Sequence, residues 1–384
     1  MRLAIITTHP IQYYAPVFRL LHTREKISIM VFYTWGELAK DKFDPGFGKT
    51  VNWDIPLLDG YPYQWVRNTA DNPGSNHFYG IVTPDLTGQV KAWKPDAVLI
   101  YGWAYQSHLK ALRHFNNRIP VYFRGDSTLL DENSSLKQIL KHLFLRWVYK
   151  HVDHAFYVGT NNRAYFRKFG LQENQLSFAP HAIDNDRFAE DKYTEAIALR
   201  KKIGVKESEL LILFAGKFED KKSPLLLLNA FLSIKKPDIH LLYSGNGALE
   251  TQLKEKAGNN MRVHFIDFQN QSAMPAVYQA CDLFCLPSQG PGETWGLAIN
   301  EAMACGKAVL VSDRVGCGVD LVKEGINGSI FKSTDINDLT IKLDKLTDSK
   351  ETLAAYGDHS RLLIKDWNFL KIAEAIEYKL IKGA

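Results

Sequence analysis

The chain has 384 residues, of which 46% are hydrophobic and 23% charged, with a net charge of +5. That length predicts two domains, and the ordinary apolar fraction predicts globular cores. The charge is too mild and too scattered for a nucleic-acid footprint, and no stretch approaches the ~20 apolar residues of a membrane-spanning helix.

The apolar run at Leu3–Thr8 is too short for a signal peptide and reads as a first buried strand, which predicts a cytoplasmic protein. Beyond it, short apolar runs alternate with longer helical patterns, the pattern of α/β units with parallel sheets. Strands are predicted in the first half at Leu3–Thr8, Ile27–Tyr33, Ala97–Tyr101, Val121–Phe123, Ala155–Val158 and Leu176–Ala179. In the second half they fall at Leu210–Ala215, Ile239–Ser244, Val263–Phe265, Leu283–Leu286, Ala308–Ser312 and Ser329–Phe331. Helical patterns include Lys137–Lys150, Pro224–Ile234 and Leu297–Ala304, and the chain ends on an amphipathic helix, Trp367–Ile381. Two series of strands predict two Rossmann-like domains. The polar stretch between them places the boundary near 180–205, with a first domain at 1–185 and a second at 186–366. The segment 40–83, with Phe43, Phe47, Trp53, Tyr61, Tyr63 and Trp65, has no clear periodicity; local packing of an irregular insertion is the favoured reading over an acceptor pocket.

Several classes of site are excluded or disfavoured. The loop Thr7-Thr8-His9-Pro10-Ile11-Gln12-Tyr13-Tyr14 after the first strand lacks G-x-G-x-x-G, which argues against a nicotinamide or flavin oxidoreductase. The cysteines, Cys281, Cys285, Cys305 and Cys317, form no C-x-x-C pair and read as buried thiols. Asp184-Asn185-Asp186 has the form of a D-x-D metal site, but its surroundings argue against that use, and no metal is expected.

The most informative segment is Pro291-Gly-Glu293-Thr-Trp295-Gly-Leu-Ala-Ile-Asn-Glu301-Ala-Met-Ala-Cys-Gly306. Glu293 lies in a Gly/Pro-rich loop and Glu301 in a helical run. With a helix starting near Thr294, the run between them spans ~12 Å at ~1.5 Å per residue. A glycosidase needs its two carboxyls only ~5–9.5 Å apart. The wider spacing suits an elongated polar ligand, with an anion held at the helix start by amides that have no partner within the helix. Upstream, the strand Leu210–Ala215 runs into Gly216-Lys217-Phe-Glu-Asp-Lys221-Lys222-Ser-Pro224, a glycine followed by cations that would suit a diphosphate.

The Glu293 segment resembles the E-x7-E signature of retaining glycosyltransferases of family 4, which have the GT-B fold. The resemblance continues through Leu286-Pro-Ser288, Gly306-Lys-Ala-Val-Leu-Val-Ser312 and Glu324-Gly-Ile-Asn-Gly-Ser-Ile-Phe331. It implies two Rossmann-like domains facing across a cleft, with the C-terminal helix, about 367–384, crossing back to the first. It also implies transfer of a hexose from a nucleotide diphosphate sugar to a hydroxyl acceptor with retention. UDP-sugar is favoured over GDP-sugar, and the products would be glycan, polysaccharide or glycolipid. By resemblance Glu293 positions the donor sugar and Glu301 binds the ribose, while the backbone of Thr294, Trp295, Gly296 and Leu297 reaches the phosphates. Lys217 and Lys222 take the family's arginine and lysine positions, after Gly216. Lys217 lacks the planar fork of arginine, and Ser223 replaces a glycine. Gly245, in Ser244-Gly-Asn246-Gly247, and Phe268, near the expected base, complete the donor set. First-domain candidates are His9, Gln12, Arg124 and Asp126, on the acceptor side or the cleft. No cofactor is expected beyond the donor.

Two alternatives remain. A GT-B epimerase would consume donor without acceptor and would need acid/base groups in the first domain, where Asp126 is the evident carboxylate. A non-catalytic sugar-nucleotide-binding protein would bind donor without turnover. The helix at Lys137–Lys150 interleaves Lys137, Lys141, Arg146 and Lys150 with Leu140, Phe144, Leu145 and Trp147; a solvated charged face is the favoured reading over peripheral contact at the inner face of a membrane, with which the pattern is also compatible.

Overall fold

The computed structural model describes residues 1–37, 43–44, 49–50, 52–132 and 136–383. The chain divides into two compact units. One comprises Met1–Lys42, Pro56–His181 and Phe369–Ala384; the other comprises Phe43–Ile55 and Ala182–Asn368. The described residues among 43–55 therefore belong to the second unit although they lie within 1–185.

Fifteen strands occur among the described residues. In chain order they are β1 (Arg2–Thr7), β2 (Ser28–Tyr33), β3 (Phe43–Asp44), β4 (Lys49–Thr50), β5 (Tyr63–Trp65), β6 (Ala97–Tyr101), β7 (Val121–Arg124), β8 (His154–Tyr157), β9 (Leu176–Phe178), β10 (Leu210–Ala215), β11 (Ile239–Ser244), β12 (Val263–Ile266), β13 (Leu283–Leu286), β14 (Ala308–Ser312) and β15 (Gly328–Phe331). Every strand predicted from the sequence is present within a residue at each end. The additions are short: β5 at a sheet edge and the antiparallel hairpin β3–β4.

The first unit holds a parallel sheet in the order β5-β2-β1-β6-β7-β8-β9, and the second a parallel sheet in the order β12-β11-β10-β13-β14-β15. Strands such as β6 (AVLIY) and β10 (LLILFA) are buried along their whole length, as a sheet covered on both faces requires. Aromatic and aliphatic side chains fill the spaces above and below. In the second unit Phe214, Phe218, Leu228 and Phe231 are fully buried around β10 and β11, each stabilising the core by roughly 1.5–3 kcal/mol.

Both sheets reverse direction at one point. In the first, the chain builds outward from β1 to β2 and β5, then crosses to β6 on the other side of β1. In the second, it runs β10, β11, β12 and then crosses to β13 on the other side of β10. At such a switch point the loops leaving adjacent strands part, opening a crevice at the carboxyl ends. The His9 loop leaves β1, the Lys217 loop leaves β10 and the Glu293 loop leaves β13.

The last helix, Phe369–Lys382, belongs to the first unit and packs on the helix Ala15–Thr23. Arg24 fixes it, donating through two guanidinium nitrogens to both carboxylate oxygens of the buried Glu377 at 2.8 and 3.0 Å. The aromatic segment is largely packing. Tyr61 is buried against Phe18, its hydroxyl lies 2.6 Å from that of Tyr33, and Trp65 tilts over Tyr33. Phe47 lies outside the described residues, as does the side chain of Lys137.

Candidate functional site

The second unit brings two of the predicted charged residues, Lys222 and Glu293, together at its switch point. Lys222 ends a short 3-10 turn after β10, and its ammonium pairs with Oε2 of Glu293. Ser288, at the end of β13, donates its hydroxyl to the same oxygen at 2.8 Å. Ser288 is in turn fixed from β14, because the Ser312 hydroxyl donates to its carbonyl. Glu293 is only 8% exposed, so its carboxylate is set by these two donors rather than by water.

The helix carrying Glu301 spans Leu297–Ala304, as its pattern predicts, so the start near Thr294 on which the span between the glutamates was reckoned does not hold. Gly296 precedes it with φ +95°, a left-handed conformation that breaks the helical pattern. A Cβ there would lie 2.8 Å from Val315 and 3.1 Å from Leu286, so glycine is required by space as well as by conformation. The ~12 Å helical span expected between the glutamates therefore fails at its amino end: the first stretch is a turn. Two bonds hold that turn, with the Gly316 and Cys317 amides donating to the carbonyls of Glu293 and Trp295 at 3.1 and 2.9 Å. Trp295 contributes its side chain to structure. It is buried against Trp367, and its indole N–H donates to Asn300 Oδ1 at 2.9 Å.

Glu301 is buried one helical turn inside, and its Oε2 accepts a 2.8 Å hydrogen bond from the Tyr278 hydroxyl. Tyr278 and Ser288 were not picked out as partners from sequence. Ser288 stands in the Leu-Pro-Ser motif, which was the available signal; Tyr278 sits in an apolar helix with no local cue.

The loops after β10, β11 and β12 are joined through Asn246. Its side chain donates to Glu250 at 3.1 Å and to Asp267 at 3.0 Å, and accepts from the Phe268 amide at 2.9 Å. Its carbonyl accepts from the Phe218 amide. Gly245 permits this joint, since a Cβ there would stand 2.0 Å from the Gly216 carbonyl oxygen. The Phe268 ring lies 6.3 Å from Trp53. A cavity of about 650 Å³ opens beside this joint, lined by Phe218, Gly245, Phe265 and Asp267 together with Lys192 and Lys254. Glu293, Glu301, Lys217 and Lys222 do not line it.

In the first unit the candidates divide. His9 accepts or donates at Nδ1 with the Thr8 hydroxyl at 2.9 Å and meets Trp35 edge-on. Gln12 lies in the same partly buried loop. Arg124 is buried, and two of its nitrogens donate to the Ala179 and Pro180 carbonyls at 2.8 Å each. Those nitrogens tie β7 to the end of the first unit. Asp126 is the more accessible group. Its carboxylate lies 3.8 Å from His181 Nε2, and Tyr14 stacks on the His181 ring. Burial lowers the His181 pKa, against the opposing effect of Asp126. Burial also raises that of Tyr14.

Asp184 caps the helix Asn185–Ala189, accepting from the Arg187 amide at 3.2 Å, while the Asn185 side chain donates to the carbonyls of Ile364 and Trp367. This stretch is a structural joint of the second unit. Among the described residues no His, Cys, Asp and Glu side chains converge as a metal site. The four cysteines are buried and unbridged, and burial pushes the Cys281 thiol up to about 12.

Residues 196–362 match the family model of glycosyl transferases group 1. A D-inositol 3-phosphate glycosyltransferase of a Mycobacterium species (strain KMS) is 30% identical over 172 residues, 43% of this chain and 37% of that protein. A D-inositol 3-phosphate glycosyltransferase 2 of Catenulispora acidiphila is 27% identical over 208 residues, 50% and 47% of the two chains. The chain thus spans less than half the length of these curated relatives. Among solved structures, Anabaena HepE in complex with UDP and glucose superposes with a TM-score of 0.72 at 16% identity, covering 100% of both chains. Sucrose-phosphate synthase of Thermosynechococcus elongatus gives 0.75 at 17% identity, again over 100% of both. The fold is GT-B, with two Rossmann-like domains.

Proposed function

We propose that this protein is a retaining glycosyltransferase that moves a hexose from a nucleotide diphosphate sugar, with a UDP-sugar preferred, to a hydroxyl acceptor. The observation that carries the reading is the meeting of Lys222, Ser288 and Glu293 at the switch point of the second unit, in a segment that matches a glycosyltransferase family. The Anabaena HepE complexes with UDP and with UDP-glucose support the choice of donor class.

In this reading Lys222 and Lys217 neutralise the diphosphate as the bond from the anomeric carbon to its oxygen breaks. Fixed cations act strongly where negative charge develops on a leaving group. The acceptor oxygen bonds to the anomeric carbon on the face the phosphate leaves, and its proton passes to a phosphate oxygen. Glu293 positions sugar hydroxyls, and Glu301, steadied by Tyr278, binds the ribose. The amides at the start of the Leu297–Ala304 helix add donors to the phosphates. Acceptor recognition falls to the first unit's strand ends, at His9, Gln12 and Asp126, and the product is a glycan, polysaccharide or glycolipid. No metal is required.

The test is turnover across UDP-, GDP- and dTDP-sugars with EDTA present, for the natural chain, Glu293→Ala and Lys222→Ala. One donor consumed, with turnover lost in both variants, is the expected result. Donor consumed without any acceptor and converted to its epimer would replace transfer with isomerisation. Nucleotide binding unaltered in both variants would remove these residues from the site.

A further inference from the structure

The helix Leu136–Tyr149 of the first unit carries an apolar face that stands exposed among the described residues. Ile139 is 59% exposed, Leu140 71%, Leu143 60% and Phe144 40%. At 3.6 residues per turn, Ile139 and Leu143 form one row and Leu140 and Phe144 the next, so the four make a continuous stripe. The opposite face, with Leu145, Val148 and Tyr149, is buried in the core of the unit. Arg146, three positions beyond Leu143, borders the stripe, and Lys150, seven positions beyond Leu143 and just past the helix end, closes the row of Ile139 and Leu143; both are exposed. Lys141 lies beyond the other border, 3.7 Å from Glu132. From 136 to 150 the sequence contains no aspartate or glutamate.

An aromatic cluster continues the stripe across the surface. Trp103 meets Phe144 edge-on at 5.4 Å, Phe144 lies 5.7 Å from Trp147, and the Arg113 guanidinium covers the Trp147 ring at 5.4 Å. Tryptophan rings beside arginine combine an apolar body with a polar edge, the chemistry of the boundary between headgroups and acyl chains.

Charge selects among occupants. A second copy docked face to face would set Arg146 and Lys150 against cations of the same sign, while a neutral apolar partner would leave them without counterions. An anionic lipid surface meets both demands, since its acyl region takes the stripe and its phosphates take the bordering cations. No helix among the described residues is long and apolar enough to cross a membrane. The helix would therefore lie in the plane of the surface.

We propose that the Leu136–Tyr149 helix docks the protein onto anionic bilayers, with Ile139, Leu140, Leu143 and Phe144 entering the interface and Arg146 and Lys150 contacting headgroup phosphates. The inference rests on this helix and its neighbours alone, independent of the reading of the second unit.

Flotation of the full chain with phosphatidylcholine vesicles, with and without about one third phosphatidylglycerol, tests it. Binding to the anionic vesicles, weakened by salt, is expected. Leu140→Asp with Leu143→Asp should reduce the partition coefficient at least tenfold. Arg146→Gln with Lys150→Gln should reduce it about fivefold per cation. Since all four positions are exposed, both variants should keep the melting temperature of the natural chain, and donor hydrolysis by the unanchored protein should be unchanged. Absence of binding to anionic vesicles, or equal binding by the variants, overturns the proposal. Self-association in sedimentation velocity that the Leu140→Asp, Leu143→Asp variant abolishes would assign the face to a second copy and also overturn it.

Discussion

The two units use a cation near a strand end in opposite ways. In the second, Lys222 pairs with the side chain of Glu293, which Ser288 also holds. In the first, Arg124 donates to the main-chain carbonyls of Ala179 and Pro180. A lysine and a carboxylate on loops can exchange each other for a ligand by rotating side chains. Main-chain carbonyls cannot leave Arg124 unless the segment they belong to moves, and they would then lie buried without donors. Position at a strand end therefore does not determine the use of a charge; its partner does.

The strongest test of that contrast is Glu293→Gln, which keeps the volume and removes the charge. We expect kcat/KM to fall by roughly 10²–10³ in the donor assay, comparable to loss of one preorganised electrostatic contact, while thermal unfolding shifts little. Arg124→Met should show the reverse. Two buried carbonyl oxygens left without donors should cost about 2–6 kcal/mol in denaturant unfolding, at ~1–3 kcal/mol per unmet group, with donor KM unchanged. A fully stable but inactive Arg124→Met protein would return Arg124 to the site and break the comparison.

The contrast also marks where sequence reasoning stops. The strands were legible because continuous apolar runs such as LLILFA and AVLVS have few other uses. β5 was not, since its three residues, Tyr63–Trp65, are half exposed at an edge and carry no period. Glu293, Glu301 and Lys222 were legible as members of motifs. The bond between Lys222 and Glu293 spans 71 positions, that between Tyr278 and Glu301 spans 23, and Arg124 reaches carbonyls 55 and 56 positions away. Local pattern is blind to such partners, and for Arg124 the partner decides the role. The helical pattern Leu297–Ala304 was legible to the residue; only the ~12 Å span failed, because it counted Gly296 as an ordinary helix residue, which its crowding against Val315 and Leu286 forbids.

Acid should probe the first unit next. His108 is buried with Nδ1 3.0 Å from the Tyr101 carbonyl and Nε2 2.8 Å from the Thr34 hydroxyl, and burial lowers its pKa from 6.5 to about 4. A histidine depressed in the folded state favours folding above its unfolded value. That contribution is lost as pH falls from 6.5 through 4, because the unfolded chain takes up the proton first. The lost stability is about 3 kcal/mol, from ~1.4 kcal/mol per pH unit. Unfolding free energies measured between pH 7 and pH 4 should show this slope, and His108→Gln should reduce it by the His108 share, leaving that of His154 and His264, which burial also lowers to about 4. A slope unchanged in that variant would place the acid sensitivity elsewhere.

The smallest effect is expected at Lys217, which follows Gly216 at the end of β10 where the resembling family has arginine. If the residue serves the diphosphate as a positive charge, Lys217→Arg keeps the charge and adds a planar fork that can engage two oxygens. Donor KM should then change by no more than about threefold, within the spread of one hydrogen bond. Lys217→Met, which keeps the stem and removes the charge, should cost more, about tenfold or above in kcat/KM, from the ~1.5–3 kcal/mol of a hydrogen bond to a charged group. The two substitutions separate charge from shape. Tolerance of arginine with intolerance of methionine places Lys217 with Lys222, among cations whose partner is exchanged for a ligand. Equal damage from both would mean that the lysine is held by its surroundings as Arg124 is, and the second unit would then contain an example of each use.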